Sequence, residues 1–177
     1  MTVDHPLPAR RCPVCGVDEE RLSVDDALDT IRTLGRRYRE AVAGVPSFAL
    51  AERPDGGPSM LDVVAHVRET LELLAAAFDV ALDTHHARLP DVAAGTSDAG
   101  ELDPREIGRE LDALDDAAAG LAARGKRTST LAWERTFDVD GVTRPVMWIV
   151  QHAAHEGAHH LRDLARIRRV VAPSEDD

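Results

Sequence analysis

Apolar side chains recur along this chain at three- and four-residue steps in four separate stretches. Val24, Leu28, Ile31, Leu34, Tyr38 and Val42 form the first. That step matches the turn of an α-helix and predicts a helix over 23–43. Ser23 stands at its start as an N-cap, with Asp25 and Asp26 in the first turn, where negative charge suits the helix dipole. Met60, Val64, Val67, Leu71, Leu74 and Phe78 make the second stripe, over 59–84. Ser59 caps it, and Asp62 three residues on makes a near capping box. Ile107, Leu111, Leu114, Ala118 and Leu121 make the third, behind Asp103 as cap and Pro104 at the first helical position, and it ends near Gly125. The fourth begins near Pro145 and runs to about Val170, with Ile149, Ala153, Leu161, Leu164 and Ile167 as its apolar set.

The intervening stretches read differently. Residues 44–58 hold three prolines and three glycines, and 85–103 hold Pro90, two glycines and many small polar residues. Both read as loops. The 126–144 connection carries Asp140–Gly141, a turn signal between short β-tolerant runs, and so has room for a small hairpin. Residues 1–22 lack periodicity and read as an irregular arm. Residues 171–177 read as a disordered tail. The expected fold is all-α: a four-helix bundle over 23–170 with a long crossover connection.

Composition agrees. A chain of 177 residues that is 44% hydrophobic can bury one core, and 3% aromatic content favours helix over sheet. The formal charge of −11 opposes contact with nucleic-acid phosphates, and the short Arg10–Arg11 and Arg36–Arg37 pairs make no basic patch. No apolar run spans a bilayer and the N-terminus has no signal pattern, so a cytoplasmic location and no membrane partner are expected. Bundles of this kind often dimerise. A homodimer is admitted, although no exposed apolar stripe singles out an interface.

Two clusters carry candidate chemistry. Cys12 and Cys15 stand as Cys-Pro-Val-Cys-Gly. In a reducing compartment this is half a zinc site, a redox pair or a structural turn. A closed zinc site needs about four ligands, and no second cysteine pair exists. His5 is a nearby candidate. The eight histidines are more telling, because His152, His155, His159 and His160 fall within nine residues of the fourth helix. His155 and His159, four apart, lie about 40° apart on one helix face, so both can reach one ion. His66 on the second helix can be brought to the same point by bundle packing. Taken singly, His66 also reads as a hydrogen-bonded rim histidine, and His152 and His160 as solvent-facing or as hydrogen-bonding partners behind the ligands. The run His155-Glu156-Gly157-Ala158-His159 fits the H-E-x-x-H protease pattern. The extended form fails, since positions 162 and 165 are Arg and Ala, and no third protease ligand follows on a further helix.

Two segments together resemble the DinB/YfiT-like metalloprotein superfamily: Ser59-Met-Leu-Asp-Val-Val-Ala-His66-Val-Arg-Glu69, and His155-Glu-Gly-Ala-His159-His160-Leu-Arg-Asp163-Leu. The resemblance covers about 23–170 and implies a four-helix bundle. It also implies a metal held by His66, His155 and His159, with His160 as the second member of a common His-His pair. The usual H-R-G-Q continuation is replaced by His160-Leu161-Arg162-Asp163. Three imidazoles suit zinc or nickel, and also iron, and leave a position open. The resemblance further implies a transferase that uses a low-molecular-weight thiol, of mycothiol or bacillithiol type, on a small electrophilic substrate. Metal-dependent hydrolysis and a non-catalytic metal-binding, stress-related role are the alternatives. The catalytic residue stays open, with Glu69 and Glu156 as candidates. His152, His160 and Asp163 are candidates for orienting the ligands, and Cys12 and Cys15 for an additional metal or redox role.

Overall fold

The computed structural model describes residues 11–84, 86–89, 102–139 and 141–173. His5 and His85, most of the 85–103 loop, Asp140 and the end of the tail lie outside the described residues. The predicted first helix is two helices, α1 (Val24–Arg32) and α2 (Leu34–Val42). They part at Thr33, whose ψ of −4° departs from helical values while leaving the apolar periodicity intact. The 44–58 stretch holds a short helix, α3 (Ser47–Leu50), and a 3-10 turn at Pro54–Gly56. The second predicted helix is α4 (Met60–Asp83), entered through a full capping box in which Ser59 and Asp62 satisfy each other's backbone N–H groups.

The third is α5 (Ile107–Arg127), preceded by a 3-10 turn over Pro104–Glu106 that Asp103 caps. The following connection folds as α6 (Thr130–Trp133) and a hairpin of β2 (Thr136–Val139) and β3 (Val142–Pro145). Gly141 turns the hairpin with a φ of +76°, a conformation open to glycine. β1 (Arg88–Leu89) adds in parallel to β2, giving the order β1-β2-β3. The long last helix is α7 (Met147–Val171).

The fold is a four-helix bundle with a small sheet at one end. The α1–α2 pair packs mainly on α5 and α7, and α4 packs on the same two. The chain therefore crosses the bundle diagonally between α2 and α4, and again between α5 and α7. Leu34, Tyr38, Met60, Leu71, Leu74, Phe78, Leu114, Leu121 and Ile149 fill the interior.

The rotation of α7 is fixed at one point of close approach. A Cβ on Gly157 would lie 2.5 Å from Leu34 Cδ1, so any larger residue here would force the buried Leu34 side chain to shift. The buried Tyr38 hydroxyl donates to the Gly157 carbonyl at 3.0 Å. With Gly157 turned inward, its neighbours in sequence point to the two flanks. Among the described residues, no helix is long and apolar enough to cross a membrane.

Candidate metal centres

One residue along a helix turns the side chain by about 100°. Two adjacent strips of α7 therefore carry different histidines: His152, His155 and His159 on one, and Glu156, His160 and Asp163 on the next.

The arm before α1 lies across the first strip. Its Cys-x-x-Cys turn closes through the Gly16 N–H to the Cys12 carbonyl (2.9 Å) and the Cys12 N–H to the Val17 carbonyl (2.8 Å), with Gly16 at a φ of +77°. Gln151 Nε2 anchors the end of the arm by donating to the Leu22 carbonyl at 2.7 Å. This brings one ligand atom each of Cys12, Cys15, His155 and His159 within 4.8 Å of one another. Cys12 Sγ lies 3.4 Å from His159 Nδ1.

Glu19, also on the arm, accepts from Nδ1 of His152 at 3.0 Å and from Nδ1 of His155. Burial pushes the Glu19 carboxyl up, but its two histidine hydrogen bonds outweigh this and hold it below the usual carboxylate range. Glu19 in turn raises His155 to about 9. A hydrogen bond from the Cys15 backbone, aided by His155, lowers the Cys12 thiol to about 5, whereas burial pushes Cys15 up.

The second strip faces α4. His66 meets Glu156 and His160 there, with their ligand atoms again within 4.8 Å. The His66 and His160 rings meet edge to face, with centroids 4.8 Å apart. His160 Nε2 lies 3.4 Å from Glu156, and its Nδ1 lies 3.0 Å from Asp163 Oδ2. Burial opposes charge on both partners. The His160 interaction nonetheless lowers Glu156, and Glu156 raises His160.

The histidines expected to share one ion are thus divided. Among the described residues, His66, His155 and His159 form no converging set. His155 and His159 point to the cysteine arm, and His66 points to the neighbouring strip. His160 and Glu156, expected behind the ligands and as a catalytic candidate, bring their ligand atoms within 4.8 Å of that of His66. Asp163 does lie behind histidines, at 3.0 Å from His160 and 3.7 Å from His159 Nε2. His152 bonds Glu19 and stacks on Trp148, with centroids 4.6 Å apart. Glu69 pairs with Arg68 at 3.0 Å and joins neither set. The reading of the sequence missed Glu19 altogether. A glutamate in the short acidic run Asp18-Glu19-Glu20 of an aperiodic arm reads as solvated surface until the arm is docked.

The two sets differ chemically. Two histidines and one carboxylate leave coordination positions open, as in reactive sites. Two thiolates and two imidazoles complete a tetrahedron, as in structural zinc sites. A cleft of ≈570 Å³ borders the cysteine side, with Cys12, Glu19, His155, Arg144 and Trp148 among its lining residues. His66, Glu156 and His160 do not line it.

A family model described as the DinB superfamily matches residues 30–164. The chain belongs to the DinB superfamily. Its bundle is similar to a solved structure, YfiT from Bacillus subtilis, described as a probable metal-dependent hydrolase with an unusual four-helix bundle topology. That likeness has a TM-score of 0.73 at 15% identity and covers 94% of this chain and 97% of that one. No curated protein matches. The matched DinB span includes His66, Glu156 and His160 together with His155, His159 and Asp163. Cys12, Cys15 and Glu19 lie before it. The open set is therefore built wholly within the DinB core, and the four-ligand set joins that core to the arm.

Proposed function

We propose that this DinB protein is a metal-dependent enzyme acting on a small electrophilic molecule, with His66, Glu156 and His160 as the ligands of its divalent ion. The observation that carries the reading is the convergence of these three side chains from two facing helices. Donors of this kind suit zinc, nickel or iron. When bound, such an ion acts as a Lewis acid and brings the pKa of a coordinated thiol or water toward neutrality.

The protein's own groups prepare the set. Asp163 takes the Nδ1 side of His160 and so leaves Nε2 for the ion. Glu156, held below its ordinary pKa, supplies a negative oxygen at neutral pH. Arg68 is committed to Glu69, Glu72 and Glu110, which keeps it tied to carboxylates of α4 and α5.

The attacking group in this proposal is a low-molecular-weight thiol of mycothiol or bacillithiol type, which makes the protein a thiol S-transferase. The DinB motifs in the sequence support that choice. Hydrolysis is the second reading. It is favoured by the structural likeness to YfiT and by a two-histidine, one-carboxylate set of the kind hydrolytic zinc sites use.

Metal-stripped protein reloaded with zinc, nickel or ferrous iron separates the readings. It is assayed on an epoxide or haloarene with each thiol, and on activated esters without thiol. Thiol-dependent turnover that His160→Ala abolishes supports transfer. Turnover without thiol supports hydrolysis. Bound metal with no turnover on either substrate class overturns both and leaves a metal-binding protein.

A further inference from the structure

We infer that Cys12, Cys15, His155 and His159 form a second, closed zinc site that clamps the N-terminal arm onto α7. The site is separate from the open set and structural in purpose.

Four observations carry the inference. All four ligand atoms already lie within 4.8 Å of one another, so one ion can reach each with only small side-chain shifts. Neither cysteine is in a disulfide, although they are three residues apart. The Cys-Pro-Val-Cys-Gly turn is closed by backbone hydrogen bonds and by the left-handed Gly16, which presents both sulfurs to one side. Last, the nitrogens on the histidines are sorted. His155 gives Nδ1 to Glu19, and its buried Nε2 makes no close hydrogen bond among the described residues. His159 turns Nδ1 to the sulfur of Cys12 and Nε2 toward Asp163.

A buried ring nitrogen without a hydrogen bond costs free energy, and an ion at the centre of the four ligands would satisfy it. Each histidine would then have a carboxylate on its far nitrogen, Glu19 for one and Asp163 for the other. That is the usual support of a metal-bound imidazole.

The clamp has a consequence for the fold. Residues 11–22 contribute one 3-10 turn, Glu19–Arg21, and no α-helix, and they lie outside the matched DinB span. Polar ties from the arm to α7 include Gln151 to Leu22, Cys12 to His159, and Glu19 to His152 and His155. Closing four ligands across some 140 residues of chain would fix the arm and, with it, the part of the 570 Å³ cleft that Cys12 and Glu19 line.

Cobalt(II) titration of metal-free protein tests this without reference to activity. Cobalt held by two thiolates gives strong sulfur-to-metal absorption in the near ultraviolet, which a histidine–carboxylate site lacks. The expected result is that wild type takes up about two ions per chain with that absorption. Cys12→Ser with Cys15→Ser should lose the band and one ion, while His66→Ala should keep the band and lose the other ion. To keep the test independent of how the variants fold, wild type is also treated with a thiol-alkylating reagent with and without zinc. Zinc should slow labelling of both cysteines by at least about tenfold, and a chelator should restore it. Absence of the thiolate band, or labelling unchanged by zinc, would overturn the clamp. Fast zinc-independent labelling of Cys12 alone would instead mark it as a free nucleophile paired with His155.

Discussion

His159 and His160 are adjacent in sequence, yet their rings, with centroids 5.1 Å apart and planes at 76°, turn into two different ligand sets. The roughly 100° step between helix neighbours turns them toward different partners, although together with Asp163 they also bring ligand atoms within 4.8 Å of one another. His159→Ala should therefore weaken the cysteine-containing site and leave the His66 site filled. His160→Ala should do the reverse. Metal content per chain, measured together with the cobalt–thiolate band in each variant, checks the split. Identical losses in both variants would contradict it.

Asp163 is the one carboxylate shared by the two sets, reaching both His160 and His159. Removing an oxygen partner behind a metal-bound imidazole costs about 10–100-fold in affinity. Asp163→Ala should weaken both sites, with the larger loss at His160, where the contact is shorter. Asp163→Asn should recover part of it, because the amide oxygen still accepts. Competition with a chromophoric chelator reads both affinities.

Tyr38 holds α2 to α7 through Gly157, and burial pushes its phenol well above the usual value. Glu156 and Asp163 add to that shift. In the unfolded chain the phenol ionises near pH ~10. Stability from the buried neutral phenol is thus fully present below about pH 10 and is lost as pH rises through the higher folded value. Tyr38→Phe should cost about 1 kcal/mol at neutral pH, since it removes a buried hydrogen bond to the Gly157 carbonyl. Above pH ~10 its stability should fall less steeply than that of wild type. Urea unfolding across pH 7–11 measures both effects.

Much of the fold was legible because it rests on local rules. The Ser59–Asp62 box and the Asp103–Pro104 entry announced α4 and α5, and the apolar periodicity announced the bundle. The break at Thr33 was invisible, because one residue of altered ψ leaves a three- and four-residue stripe unbroken. The α3 turn lay hidden in a stretch whose prolines and glycines read only as loop.

The site was legible by residue type and not by partnership. Residues 155 and 159, like 156 and 160, are spaced by four, so spacing alone cannot say which pair faces His66. That choice rests on the rotation of α7, which Leu34 and Tyr38 set against Gly157 from a helix more than a hundred residues earlier. The cysteine pair lacked two ligands in its own neighbourhood for the same reason. Its candidate partners stand at the far end of the chain.

In this proposal α7 serves two metal centres rather than one. Crystals of zinc-loaded protein, measured on either side of the zinc absorption edge, test it most directly. Two anomalous peaks per chain are predicted, one among Cys12, Cys15, His155 and His159, the other among His66, Glu156 and His160. A single peak coordinated by His66, His155 and His159 together would contradict the account.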